Sequence, residues 1–424
     1  MGSRFRDCFD EALTVGAGYA ASGWHDAVVA TDDSTSLQRR LGLAGATAIG
    51  VGAMLGTGVF AAWTPALRLA GPLLLLSLVV AAVVAALNAW STASLARLHP
   101  EAGGVYVYGR ARLGHSFGVV AGWAFVIGKV ASAGAAALTI GTYISPSHSR
   151  IIGLVAVVLV LLLDLWGVTR TAAVSAILSV AVIAVLASLV GGVVSADTAL
   201  PSSATGVQPG VAGVLGGAAL LFVAFAGYAR IATLGEEVRK PATTLPRAIA
   251  LSFTVVLVVY FAIGACVIAV LGQLPLDVLS PAPLEQMASI VQGPGLSAAV
   301  RVAAVLAAGG ALLSLLAGVG RTLFAMGRAG DAPEKLSAVS RHGVPHRAQL
   351  LAAVGAAAVV LAGGIAGALA LSAASILAYY GIAHLAALRL DADERRPPRV
   401  VPVAGLIGCI ALTVSLVVVV GQLN

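Results

Sequence analysis

The sequence predicts an all-α integral membrane protein of about eleven transmembrane helices, two of them interrupted in the middle. Three observations carry this. Of 424 residues, 59% are hydrophobic and 10% charged, whereas a soluble domain is roughly 45–50% apolar and about 25% charged. Runs of about twenty apolar residues, enough to cross about 30 Å of hydrocarbon as helix, recur from residue 43 onward. Two of these runs carry glycine at mid-length, where each Gly costs a helix roughly 1 kcal/mol relative to Ala.

The same composition excludes other classes. The formal charge of +7 needs no nucleic-acid partner, because the positions of Lys and Arg around the apolar runs account for it. Cys8, Cys266 and Cys409 are scattered and match no metal-ligand spacing. Two of them fall in apolar runs, which argues against a disulfide framework. No metal and no cofactor are expected. Residues 1–35 lack the apolar core of a cleavable signal peptide.

In chain order, residues 1–38 are a polar-to-mixed tail with Arg4, Arg6, Asp32 and Asp33. Apolar segments follow at 43–66, 71–96, 116–144, 151–168, 172–194, 211–234, 248–272, 298–327, 349–367, 370–389 and 401–422. No charge separates the ninth from the tenth. With the N-terminus cytoplasmic, twenty of the 25 Lys and Arg fall in the inner tail and loops and three (Arg68, Arg150, Arg301) in outer loops, while Lys129 and Arg230 lie within segments. That asymmetry orients the chain with its N-terminus in the cytoplasm, and eleven crossings would put Asn424 outside.

The first segment contains Gly50-Val51-Gly52-Ala53-Met54-Leu55-Gly56-Thr57-Gly58-Val59-Phe60. One reading is a break whose bare backbone binds something at membrane depth. The other is a close helix–helix contact through small residues. The sixth segment has its own mid-length glycine in Ala224-Phe225-Ala226-Gly227-Tyr228-Ala229-Arg230. Gly-interrupted segments at corresponding positions in two halves are the best sequence pointer to a transporter's binding site. Five segments separate the two, so residues 39–195 and 196–390 are expected to be repeats of opposite topology, with 391–424 adding an inner loop and an eleventh helix. No repeated sequence string supports the repeat; position alone does.

Gly52 to Phe60 resembles the first-helix signature of amino acid permeases in the amino acid–polyamine–organocation (APC) superfamily. Phe225-Ala226-Gly227-Tyr228, with Glu236-Glu237-Val238 and Pro246-Arg247-Ala248-Ile249 after it, resembles the matching sixth-helix signature. Pro100-Glu101-Ala102-Gly103-Gly104-Val105-Tyr106 and Ala325-Met326-Gly327-Arg328-Ala329-Gly330 are further likenesses. The resemblance implies a leucine-transporter-type five-plus-five inverted repeat with discontinuous first and sixth helices, about eleven here. It further implies secondary transport by alternating access across the cytoplasmic membrane. There are departures. The family usually has twelve helices. An acid commonly follows the sixth-helix Gly-aromatic pair, where Ala229 and Arg230 stand here. Proton-coupled relatives often carry a fifth-helix Lys, whereas Val182 lies near that place.

An amino acid brings a carboxylate and an ammonium. A break near Gly52–Gly56 would free N–H groups from about Leu55 to Gly58, and helix N-termini bind anions through such groups and the dipole. A break at Ala224–Gly227 would free carbonyls for the ammonium. The expected substrate-binding residues are therefore Gly52, Ala53, Met54, Leu55, Gly56, Thr57, Gly58, Ala224, Phe225, Ala226 and Gly227. By resemblance Phe225 covers the substrate; packing of an apolar ring is the plain alternative. The Thr57 hydroxyl either meets the carboxylate or bonds back to its own helix.

Lys129, Phe225 and Arg230 are the candidate gating and coupling residues. Lys129 lies deep in the third segment, where a cation costs at least about 2.5–3.5 kcal/mol and usually marks a pathway. The competing reading is a side chain snorkelling to the headgroups. No Asp or Glu lies in the middle of a segment, Asp164, Glu236 and Glu237 standing near inner ends. That favours a neutral amino acid over arginine, lysine or a polyamine, while Lys129 leaves an acidic substrate open. His99, His115, His342, His346 and His384 read as loop or helix-end residues. The outer stretch 273–297, with Pro275, Pro281 and Pro283, reads as a turn and short helix, and the inner stretch 97–115 as its cytoplasmic counterpart. The leading expectation is a neutral amino acid transporter, proton-coupled or exchanging, with a small-molecule substrate, the proton as candidate second partner, and the lipid bilayer around it. An amine or other metabolite permease on the same fold, or an amino acid sensor, are the alternatives. No catalytic arrangement at helix depth points to an enzyme.

Overall fold

The apolar segments fold as helices because a lipid-embedded backbone must satisfy its own N–H and C=O groups. The computed structural model describes residues 41–98, 103–166, 172–196, 210–232, 238–340, 344–391, 394 and 398–419. The tail 1–38, Cys8, His99, Glu236, Glu237 and His342 lie outside those residues.

The first segment is three helices: α1 (Leu43–Met54), α2 (Thr57–Ala61) and α3 (Trp63–Ala70). Then come α4 (Leu74–Leu98), α5 (Val105–Leu113), α6 (His115–Ile144), α7 (Ser149–Leu165) and α8 (Ala172–Ser195). The sixth segment is α9 (Val211–Phe225), a single 3₁₀ turn (Ala226–Tyr228) and α10 (Ala229–Ala232). The chain continues through α11 (Pro241–Val270), α12 (Pro283–Val291), α13 (Pro294–Arg328), α14 (His346–Ala362), α15 (Ile365–Leu388) and α16 (Val400–Val419).

Among the described residues, ten helical stretches are long and apolar enough to cross a membrane. They match the expected segments except the ninth, whose helix α14 has 17 residues, at the short end of what spans a bilayer. The boundary between the ninth and tenth, unmarked by charge, falls at the extended pair Gly363-Gly364.

The 30-residue helix α6 is the spine of the described bundle, packing on α13, α14 and α15. Helix α9 packs on α3, α4, α15 and α16. By contrast α7 leaves Val155, Val158, Leu159 and Leu162 exposed, the apolar face a bilayer covers. The outer stretch does form a short helix, α12, and the loop before it is tied to α3. Thr64 donates to the Ser280 carbonyl (2.7 Å) and Arg68 to that of Leu276 (3.2 Å).

The inner stretch is likewise helical, as α5. It enters through Gly104, whose φ of 59° favours glycine. Val105 then donates its N–H to the Tyr379 hydroxyl (3.1 Å). Two acids anchor α5. Asp331, just beyond α13, is almost fully buried and accepts from Tyr106 (2.5 Å) and Arg110 (2.8 Å), with His115 at 3.4 Å. Glu394 takes Arg112 in a two-pronged pair at 2.7 and 3.0 Å. Burial, then the Asp331 bond, push the Tyr106 phenol up to about 12, so it remains a donor at ordinary pH.

Candidate functional site

The two glycine-marked interruptions meet. A Cβ added at Gly58 would lie 2.5 Å from both Cα and Cβ of Ala224. One added at Gly227 would collide with the Ala53 carbonyl and stand 2.7 Å from the Met54 nitrogen. Each glycine therefore lets its segment touch the backbone of the other. The first segment is both broken and in close small-residue contact at one place.

The first break is sharp. Helix α1 stops at Met54, Leu55 turns out of helical geometry (ψ 34°) and Gly56 (ψ −135°) starts α2 with no side-chain cap. Leu55 does not offer its N–H, which bonds the Val51 carbonyl at 2.8 Å. That corrects the expected donor set by one residue. The orphan donors of a helix start belong to its first turn, here from Gly56 to about Val59. The bend between α2 and α3 is slight: Ala62 stays helical and accepts from the N–H of Ala66 (3.1 Å). Residues 57–70 thus act as one helix whose N-terminus faces the break. Thr57, its first residue, has a buried hydroxyl without a hydrogen-bond partner. It does not bond back to its own helix.

The second break is gentler. Helix α9 tightens into the 3₁₀ turn at Ala226, whose N–H reaches the Val223 carbonyl. The carbonyl of Ala224 faces the first break, and so does that of Met54. The Tyr260 hydroxyl from α11 lies 2.6 Å from the Met54 oxygen and 3.2 Å from the Ala224 oxygen. One phenol bridges the carbonyl ends of both interrupted helices.

Other elements close around this point. Ala311 of α13 would stand 3.1 Å from a Cβ at Gly56. Ser179 of α8 would stand 2.7 Å from one at Gly52. Val182, one turn on from Ser179, is buried on the same α8 face. Phe225 is fully buried, stacked on Phe253 (5.2 Å) and edge-on to Tyr260 (5.1 Å). Ala226 is buried in the 3₁₀ turn. Arg230 is exposed on α10.

Lys129 has an aromatic partner. Its ammonium stands 5.8 Å above the Phe125 ring, which packs on Tyr379 of α15 at 5.4 Å. Tyr143, the α6 residue that donates to the Phe60 carbonyl of α2 (2.8 Å), is about 21 Å farther along α6 at 1.5 Å per residue. Through Phe125, Lys129 lies by the α6–α15 contact. His384 departs most from expectation. It does stand near a helix end, one turn before the end of α15, but it is fully buried there. Tyr260 and Ala311 were missed because a tyrosine or alanine in an apolar run reads as packing. Among the described residues no cluster of metal-ligating side chains is present.

The family model of amino acid permeases matches residues 45–421. The chain is 45% identical over 387 residues to an uncharacterized transporter of Mycobacterium tuberculosis, covering 91% of this chain and 88% of that one. It is 27% identical over 357 residues to the branched-chain amino acid permease BcaP of Bacillus subtilis, covering 76% and 74%. The vacuolar cationic amino acid transporter 4 of Arabidopsis thaliana is 27% identical over 370 residues, covering 78% and 60%. These matches, the broken helices and the bundle of membrane-spanning lengths agree, and the chain belongs to the amino acid permease family of the APC superfamily, multi-pass membrane transporters with a leucine-transporter-like fold.

Proposed function

We propose that this transporter moves neutral amino acids across the cytoplasmic membrane by alternating access around the two breaks, with its N-terminus in the cytoplasm. Residues 39–195 and 196–390 are the two inverted halves that rock against each other. The observation that carries the reading is the mutual packing of Gly58 on Ala224 and Gly227 on Ala53, with Tyr260 bridging the Met54 and Ala224 carbonyls.

That arrangement has a place for each end of a zwitterion. The carboxylate goes to the N–H groups from Gly56 to Val59 and to the unpartnered Thr57 hydroxyl. The ammonium displaces the Tyr260 hydroxyl and takes the Met54 and Ala224 carbonyls itself. The phenol is thus a stand-in donor that keeps those carbonyls satisfied when no substrate is bound. Phe225, held between Phe253 and Tyr260, follows the movement of Tyr260. Among the described residues, the side chains placed at the breaks include no carboxylate for a distal cation, which supports a neutral substrate of the kind BcaP is named for. The proton is the coupling partner we assign.

The test is thermal stabilisation of the purified protein by a panel of amino acids, then uptake of labelled leucine into proteoliposomes. A ligand that binds only the folded state raises apparent stability by mass action. Leucine should stabilise and accumulate under an inward proton gradient. Stabilisation by arginine or lysine instead would overturn the neutral assignment. Binding without accumulation would point to a sensor.

A further inference from the structure

His384 is the one described histidine with no exposed surface, and its ring joins three helices. Nδ1 lies 3.0 Å from the Ser91 hydroxyl and Nε2 2.7 Å from the Asn88 side-chain oxygen, both on α4. The Cys409 thiol of α16 reaches the same Asn88 oxygen at 3.4 Å. Gly405, one turn earlier on α16, has no side chain because the imidazole fills that space. Cys409 in turn lies beside Tyr228 and Tyr380, close enough for each to feel it electrostatically. Tyr228 closes the 3₁₀ turn of the second break, and its ring packs on that of Tyr380 at 5.8 Å. Hydrogen bonds thus join His384 to α4, and Cys409 of α16 to the same Asn88 oxygen, while the buried, unpartnered Tyr228 hydroxyl lies near Cys409.

We infer that His384 is the site that takes up the coupling proton, an assignment that rests on the proton-coupled reading above. A purely structural bond to Asn88 and Ser91 would need a group with one charge state; this cluster accepts two. With the ring neutral, Nε2–H donates to Asn88 and Ser91 donates to Nδ1. With the ring protonated, both nitrogens donate, and the Ser91 hydroxyl turns to the carbonyl one turn back, as helical serines commonly do. Both partner oxygens can accept, so no heavy atom has to move.

The groups hydrogen-bonded to His384 are neutral, and the charged groups named here on helices packed against α15 are the cation Lys129 and the paired Arg110 and Arg112. Helix α4 brings Asn88 and Ser91, α16 brings Cys409, and α9 with its 3₁₀ turn brings Tyr228. Helix α6 brings Lys129, held over Phe125, and α5 brings Tyr108 beside Tyr379, while its Arg110 and Arg112 pair with Asp331 and Glu394. No acid stands among these groups to pair with an imidazolium. The charge becomes tolerable only when water enters.

The route for that water is marked. Asn88 Nδ2 and Thr92 Oγ1, one turn apart on α4, are buried with no partner, and Thr92 lies toward the helix end at Leu98 that the positive-inside pattern puts in the cytoplasm. His384 itself stands one turn before the end of α15. Opening toward the cytoplasm would hydrate these groups and let the proton exchange. Closing would return His384 to a dry site and favour its neutral form. The protonation state of His384 then biases the α4–α15–α16 contact, and through Cys409 and Tyr228 the second break.

The test compares wild type with His384→Gln, reconstituted in proteoliposomes and supplied with labelled leucine. In a one-proton symporter, one pH unit of gradient drives up to about tenfold accumulation. The wild type should show that accumulation. The variant should lose it while keeping leucine-for-leucine exchange and thermal stabilisation by leucine. Gradient-driven accumulation that persists in the variant would overturn the assignment to His384 and leave symport standing. A wild type indifferent to the gradient would overturn both. Should the variant not fold, ring-nitrogen resonances of His384 in labelled wild type decide. A ring that gains a proton between pH 8 and pH 5, at a midpoint leucine shifts, supports the proposal; a ring that stays neutral throughout overturns it.

Discussion

The first and second breaks carry the same sequence mark, a glycine in mid-segment, yet use it differently. At the first, the chain leaves helical geometry at Leu55 and Gly56, and a new helix begins with bare N–H groups and the unpartnered Thr57. At the second, the helix only tightens to a 3₁₀ turn, and Gly227 serves to admit the backbone of Ala53 and Met54. One break opens donors and the other makes room for a neighbour's carbonyl end. A symmetric pair of breaks would offer the same chemistry twice. This pair offers opposite ends, as the proposed zwitterionic substrate would need.

The largest expected effect is at the contact itself. Gly227→Val forces a side chain into the Ala53 carbonyl, and Gly58→Val forces one into Ala224. Overpacking costs typically about 1–3 kcal/mol, here where backbone cannot yield easily, so uptake should vanish and the unfolding temperature should fall. Gly318, with open space around it, is the control: Gly318→Ala should leave both unchanged.

Next is the difference between donor end and acceptor end. Thr57→Val removes a buried hydroxyl that has no hydrogen-bond partner. Stability should hold while leucine affinity falls about five- to tenfold, the worth of roughly 1 kcal/mol of hydrogen bond. Tyr260→Phe should do the reverse. It leaves the Met54 carbonyl unsatisfied and lowers stability by about 1 kcal/mol, but leucine no longer has a hydroxyl to displace, so affinity should hold or rise. Equal losses of affinity in both variants would erase the distinction between the breaks. These are read by thermal unfolding and by leucine titration.

The smallest effect concerns the inner anchor. Tyr106→Phe should loosen α5 slightly and equally from pH 6 to pH 9. Because folding raises this phenol to about 12, its contribution is complete below the ordinary tyrosine value near 10. It is lost only as pH climbs through about 12. Thermal unfolding across that range checks it.

How much of this was legible depends on what kind of signal each residue sends. Apolar length made the helices visible, and glycine in the middle of such length made both breaks visible. The exception in length, α14, is short because Gly363-Gly364 ends it without any polar marker. Lys129 was conspicuous because charge in an apolar run always is, and it lies by the α6–α15 contact over Phe125. His384 was overlooked for the opposite reason. A histidine near Arg389 reads as a helix end, and only three-dimensional packing reveals that Asn88, Ser91 and Cys409, far apart in sequence, converge on it. Tyr260 was silent because Val-Val-Tyr-Phe-Ala-Ile looks like filling; its hydroxyl acquires meaning only once two carbonyls stand beside it. The donor set at the first break was misjudged by one residue because the last N–H of α1 still belongs to α1.

The most direct test of the central claim, that the amino acid binds where the two breaks meet, is a thermal-shift titration of wild type and Thr57→Val with leucine. The account predicts equal stability without ligand and a five- to tenfold higher leucine requirement in the variant, as roughly 1 kcal/mol of lost bonding demands. Identical titration curves for the two proteins would contradict it.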